Sequence, residues 1–158
     1  MSAKLLLPLA AAALMAGCAS APQVVRSGDP GFARGKTLAL AVTEATPLDR
    51  ARPDQASALV LQRLGGRTAE PTAADYLMQV AFAALPKGVG VRRDGVGDWV
   101  SDPKGHRRFG MRSPAYAVSI TAIETKTGKA AFSATATERA HGDPAKAVDR
   151  LVSAALAD

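Results

Sequence analysis

Few residues in this chain have the chemistry to act on a substrate, and their spacing excludes most reactions. Its one cysteine, Cys18, stands in Leu14-Met15-Ala16-Gly17-Cys18-Ala19-Ser20. A thiolate is a nucleophile and a metal ligand, but with a single cysteine no disulfide forms within the chain. No histidine is near it to serve as a base. The two histidines, His106 and His141, are far apart, and neither sits in an H-E-x-x-H pattern, so no metal site is expected. Ser101-Asp102-Pro103-Lys104-Gly105-His106 gathers hydrolase-like residue types in one run. Catalytic triads assemble from distant segments instead, and no serine occupies a G-x-S-x-G elbow. The Gly-rich run from Gly88 to Gly97 lacks the G-K-[ST] and the following helix of a phosphate loop. No carboxylate pair stands out for glycoside chemistry. The expectation is a protein that is not an enzyme and holds no metal.

The thiol has a different use. Lys4 precedes an apolar run from Leu5 to Met15, and Ala16 and Gly17 then lead to Cys18. That is the order of a secretory signal: basic start, short apolar stretch, small-residue cleavage site. The run is too short for a bilayer span, which needs about 20 residues. Leu14-Met15-Ala16-Gly17-Cys18 resembles the lipobox of bacterial lipoproteins. The resemblance implies removal of residues 1–17 as a signal peptide, a diacylglycerol on the Cys18 sulfur, and usually a further acyl chain such as palmitate on its new amino group. Each buried methylene contributes about 0.8 kcal/mol, and two or more chains give stable anchoring. Ala19, not Asp, follows the cysteine. Under the Gram-negative sorting rule this resemblance brings with it, the expected location is the periplasmic face of the outer membrane. The covalent lipid on Cys18 is the only attached group expected, and no other cofactor is.

Of the 20 Lys and Arg side chains, only Lys4 falls in residues 1–17, leaving 19 against 14 acids, a net +5. Most of that charge sits in residues 86–114, PKGVGVRRDGVGDWVSDPKGHRRFGMRSP. Lys87, Arg92, Arg93, Lys104, Arg107, Arg108 and Arg112 face three acids there, beside the only tryptophan, Trp99. So long a segment without periodicity is unusual in a compact domain. Asp94-Gly95 predicts a small hairpin turn, with Val89–Val91 and Gly95–Gly97 as arms. Two readings stay open. The segment is a solvated connection, or it contacts an anionic surface, with arginines giving bidentate contacts and Trp99 suited to a membrane interface. Candidate partners are lipid phosphate, lipopolysaccharide, peptidoglycan carboxylates and acidic envelope proteins. Nucleic acid is not expected as a partner of an exported protein.

Other elements supply the frame. Residues 18–35, rich in Ala, Ser, Pro and Gly, read as the lipidated cysteine and a flexible tether. A single periplasmic domain is expected over 36–158. Leu38, Leu40 and Val42 alternate in a first strand. Pro53 opens a helix that carries Ala56, Leu59, Val60 and Leu64 on one face and stops at Gly65-Gly66. Tyr76, Met78, Val80 and Phe82 alternate in a second strand. Residues 115–124 and 129–138 form a hairpin about Thr127-Gly128. Asp143-Pro144 caps a closing helix with Ala147, Val148, Leu151, Val152 and Ala155 at helical spacing. The predicted fold is α+β: a mostly antiparallel four-stranded sheet with two helices packed on one face, in the order β-α-β-β-β-α. The first two strands flank a helix, which permits a parallel crossover.

Asp75-Tyr76-Leu77, the strand from Tyr116, the turn Glu124-Thr125-Lys126-Thr127-Gly128-Lys129 and the final Ala145–Leu156 helix together resemble a family of small bacterial lipoproteins known as a domain of unknown function. Glu124 stands where that family commonly has Asp, and Phe132 where it commonly has Trp. The resemblance implies no catalytic residues, because none is established for the family. The expected function is non-catalytic: an outer-membrane-anchored lipoprotein that binds or scaffolds cell-envelope components. The alternatives are a lipoprotein holding a small lipid or glycan in a groove over the sheet and, third, a hydrolase.

Overall fold

The computed structural model describes residues 21–41, 51–86, 91–92, 99–101 and 114–157. In chain order the elements are β1 (Gln23–Gly28), a 3-10 turn (Pro30–Ala33), β2 (Thr37–Leu40), α1 (Ala51–Leu64), β3 (Arg67–Thr68), β4 (Tyr76–Leu85), β5 (Val91–Arg92), β6 (Trp99–Ser101), β7 (Ala115–Glu124), β8 (Ala130–Arg139) and α2 (Pro144–Leu156). The strands expected at 76–82, 115–124 and 129–138 and the helices expected from Pro53 and Pro144 form, the first expected strand is seen over Thr37–Leu40, and Val42 lies outside the described residues.

The sheet differs from the one expected. It has six strands, not four, in the order β1-β8-β7-β4-β2-β3. It is mixed: β1–β8, β8–β7 and β7–β4 are antiparallel, whereas β4–β2 and β2–β3 are parallel. The parallel pairs follow from α1, which carries the chain back across the sheet between β2 and β3.

The tether expected at 18–35 is corrected as well. From Gln23 onward it is ordered, because Gln23 to Gly28 pair residue for residue with Thr137 to Phe132. Three local devices hold it. Arg26 reaches the end of α2. Gly28 has φ 87°, and a β-carbon there would lie 2.1 Å from the Ala131 carbonyl oxygen, so only glycine fits. Asp29 then caps the 3-10 turn, its carboxylate accepting from the Gly31 amide at 2.8 Å.

Both helices lie on one face. Ala56 and Val60 of α1 and Val148, Leu151, Val152 and Ala155 of α2 are buried against Leu38, Met78, Val80, Val118, Ile120, Phe132 and Ala134. Each large side chain so buried contributes about 1.5–3 kcal/mol. Phe32 of the 3-10 turn closes this layer, stacking on Phe132 at 5.3 Å and meeting the Tyr76 ring edge-on at 5.2 Å. The opposite phase of β4, β7 and β8 is small or polar at its middle, with Gln79, Ala81, Ser119, Thr121, Ser133 and Thr135, and carries Leu77, Ile123 and Leu85 toward its ends.

The two ends of the sheet carry different parts of the chain. At one end lie the start of β1, the end of β4, the start of β7 and the end of β8, since Leu85 pairs with Ala115, Ala115 with Arg139, and Gln23 with Thr137. At the other lie Gly28, Thr37, Tyr76 and the β7–β8 turn. We call these the Gln23 end and the Gly128 end. The helices run side by side in the same direction. The Gln55 side-chain amide donates to the Ala145 carbonyl at 3.4 Å, and Arg63 meets Asp149 at 2.8 Å. Both therefore begin at the Gln23 end.

Candidate functional site

Of the site residues expected from sequence, Cys18, Lys87, Arg93, Lys104, Arg107, Arg108 and Arg112 lie outside the described residues, as do Asp102 and His106. Arg92 and Trp99 fall on a two-stranded ladder, where their backbones pair directly and Val91 pairs with Ser101. The described ladder joins Val91–Arg92 to Trp99–Ser101, where Trp99-Val100 is aromatic and β-branched. The expected arm residues Val89, Gly90 and Gly95–Gly97 and the turn Asp94-Gly95 lie outside the described residues. Strand β6 lies beside β1 and β8. The fold therefore gathers Arg92, Trp99 and the first ordered strand into one neighbourhood.

The residues that carried the family resemblance have structural work. Asp75 precedes β4, and its Oδ2 accepts from both the amide and the hydroxyl of Thr37, each at 2.9 Å. The Asp75 amide donates back to the Thr37 hydroxyl at 2.9 Å. These bonds hold the Asp75 carboxyl below the ordinary carboxylate value, with Lys36 and Lys126 adding smaller attraction. The Thr125 hydroxyl donates to the Ala74 carbonyl at 2.7 Å, tying the β7 terminus to the same corner. In the turn, the Thr127 hydroxyl donates to Glu124 Oε2 at 2.6 Å, and the Gly128 amide donates to the Glu124 carbonyl at 2.8 Å. The Glu124 carboxylate thus closes the turn onto the Thr127 hydroxyl. Strands β2, β4 and β7 are fastened here by a clasp of acids and threonines.

A second cluster joins sheet to helix. Glu138 falls in the inward phase of β8 after Phe132, Ala134 and Ala136, and its side chain is 2% exposed. Arg150 of α2 donates to it twice, Nη2 to Oε1 at 2.6 Å and Nε to Oε2 at 3.1 Å. This bidentate pairing raises the Arg150 pKa further above its already high ordinary value. Across the sheet, Arg26 donates from Nη2 to the Ala154 carbonyl at 3.0 Å and from Nε to the Ala155 carbonyl at 3.1 Å. A cation here satisfies orphan carbonyls and meets the negative end of the α2 dipole.

Neither cluster converges an acid, a base and a nucleophile on open space. His141 is exposed in the β8–α2 turn, its Nδ1 2.7 Å from the Arg139 carbonyl. Among the described residues, no group of three His, Cys, Asp or Glu is placed to hold a metal ion, and no helix is long and apolar enough to cross a membrane. An open cleft of about 310 Å³ lies where the 3-10 turn meets the ends of the helices, bordered by Arg34, Arg63, Leu64 and Leu156. It sits at the Gly128 end, not in a groove over the sheet.

Sequence reasoning missed Arg26, Thr37 and the Glu138–Arg150 pair. The signal for the last was present. Glu138 continues the inward phase of an apolar strand, and an acid there requires a buried partner. Arg26 left a weaker one, a single cation following Val24-Val25.

No protein-family model matches the chain, and no curated protein does. Solved structures share the fold. A PelC dodecamer from Paraburkholderia phytofirmans superposes with TM-score 0.54 at 19% identity, over 85% of this chain and 94% of that one. A point variant of the same protein gives TM-score 0.51 at 18% identity over the same shares. A PDZ domain protein from Parabacteroides distasonis gives TM-score 0.52 at 14% identity, over 85% of this chain and 34% of that one.

Proposed function

We propose that this chain is a lipid-anchored, non-catalytic component of the bacterial cell envelope. Cys18 carries the lipid and holds the domain on the periplasmic face of the outer membrane. The domain binds or scaffolds envelope components through the basic segment of residues 86–114. The observation that carries this reading is the clasp at Asp75, Thr37 and Glu124-Thr125-Lys126-Thr127-Gly128. The most motif-like residues of the domain close strands and turns onto one another. Their role is architectural, and this reading leaves function to the anchor and the surface.

The alternative of a lipid or glycan held over the sheet is less well supported. The described cleft is at the helix ends, open, and bordered by two arginines, one already paired with Asp149. Radiolabelled palmitate and membrane fractionation test the anchor. Cys18→Ala abolishes both labelling and sedimentation with outer membrane, and a variant that still sediments overturns the reading. Crosslinking in cells tests the surface. Reversing Arg92, Arg93, Arg107 and Arg108 to Glu weakens an envelope contact, and wild-type binding weakens with salt. Crosslinking partners unchanged by reversal assign the segment to solubility.

A further inference from the structure

We infer that the Gln23 end of the sheet is a docking surface whose partner is the phospholipid headgroup layer, so that the domain stands on the membrane by that end. The inference rests on the reading of Cys18 as the lipid attachment site.

The reach of the chain carries it. Only four residues, 19–22, separate Cys18 from Gln23, where the ladder to β8 begins. Fully extended, the five steps from Cys18 to Gln23 span at most about 18 Å. Fraying of the ladder can lengthen the leash by no more than the three residues Gln23–Val25 while Arg26 remains bound to the Ala154 and Ala155 carbonyls. Strand β7 runs ten residues from the Gln23 end to the Gly128 end, which at about 3.3 Å per residue places the two ends roughly 30 Å apart. A domain held this closely brings one end to the headgroups and holds the other away from them.

The exposed charges of that end are mixed: Arg139, His141 and Lys146 stand beside Asp54 and Asp143. Both helices begin there, and the Asp143 carboxylate caps the start of α2. The chain also leaves at Leu85 and returns at Ala115 from this end, on either side of the sequence that holds seven of the mature protein's cations. The Asp75–Thr37 clasp and the cleft beside Arg34 sit at the far end, facing the periplasm.

The experiment uses the full lipoprotein, extracted from membranes and reconstituted into vesicles of phosphatidylethanolamine and phosphatidylglycerol. His141→Cys and Lys126→Cys are each labelled with a fluorophore, and a nitroxide-headgroup lipid serves as quencher. Quenching at position 141 is expected to exceed that at 126 several-fold. Inserting twelve Gly/Ser residues between Ala21 and Pro22 leaves the fold intact and is expected to shrink the difference. Equal quenching at both positions, or stronger quenching at 126, overturns the inference while the anchor stands. Intact mass of the extracted protein separates the two failures, because a mass without acyl chains overturns the anchor and this inference together.

Discussion

The Glu138–Arg150 pair offers the sharpest quantitative test of how helix α2 is held. Its carboxylate is 2% exposed, while the arginine is 42% exposed. Removing one partner of a fully buried pair costs about 3–5 kcal/mol, because the other charge is stranded. Here water reaches the arginine side, so the expected cost of Arg150→Ala falls to about 2–3 kcal/mol. In a domain of this size that lowers Tm by roughly 6–12 °C. The double variant Glu138→Met with Arg150→Met removes both charges and fills the same volume. It is expected within about 1 kcal/mol of wild type, since a well-packed apolar pair replaces a buried ion pair at little cost. Urea unfolding followed by far-ultraviolet circular dichroism reads both, with an unchanged m-value as the sign that the unfolded state is unaltered. The reasoning fails if Arg150→Ala is within about 0.5 kcal/mol of wild type. It fails equally if the double variant is as unstable as the single one, because loss would then come from shape and not from a stranded charge.

Other expectations concern the clasp and the first strand. The folded Asp75 carboxyl titrates below its ordinary value because Thr37 hydrogen-bonds its charged form. Its stabilisation is therefore fully present above about pH 4, the unfolded value, and is lost as pH falls through the lower folded value. A pH series of urea midpoints is expected to drop more steeply below pH 4 in wild type than in Asp75→Asn. Gly28→Ala forces a positive φ on alanine and a 2.1 Å approach to the Ala131 carbonyl oxygen. It is expected to cost more than about 1 kcal/mol by thermal unfolding. Arg26→Met keeps the side-chain stem and loses both bonds to the α2 carbonyls. The expected cost is about 1–2 kcal/mol, with hydrogen exchange accelerated at residues 153–157.

Periodicity made most of the frame legible. Tyr76, Met78, Val80 and Phe82 share one phase, as do Val118, Ile120 and Ala122, and those phases are the ones buried under the helices. Pro144 after Asp143 marked the start of α2 because the cap is local chemistry, and the Asp143 side chain does accept from the Ala145 amide. Strand β1 left no comparable trace. Its inward phase is Val24, Arg26 and Gly28, only one of them apolar, and its partner is at the other end of the sequence. Arg26 points inward because a helix terminus waits for it, a tertiary fact that no local pattern encodes. Strand β3, two residues long and exposed at the sheet edge, is too short to show a period at all. The candidate anchor and basic segment were legible as composition and spacing. That the chain enters β1, leaves β4 and re-enters β7 at one end of the sheet was not, since it depends on register: Leu85 opposite Ala115 and Gln23 opposite Thr137.

The pairing of β1 also sets an order of events. Arg26 and the Ala155 carbonyl that it caps are 129 positions apart in sequence. The local hairpin β7–β8 can close early, whereas β1 has nothing to pair with until β8 exists, and such distant contacts form slowly. The first strand of the sheet in sequence is therefore the last to be sewn into it. A chain arrested before Phe132 leaves residues 23–28 as an unpaired edge, exposed to whatever strand it meets first. Completion of the fold is thus recorded at the amino terminus by a segment that depends on the carboxyl-terminal quarter of the protein.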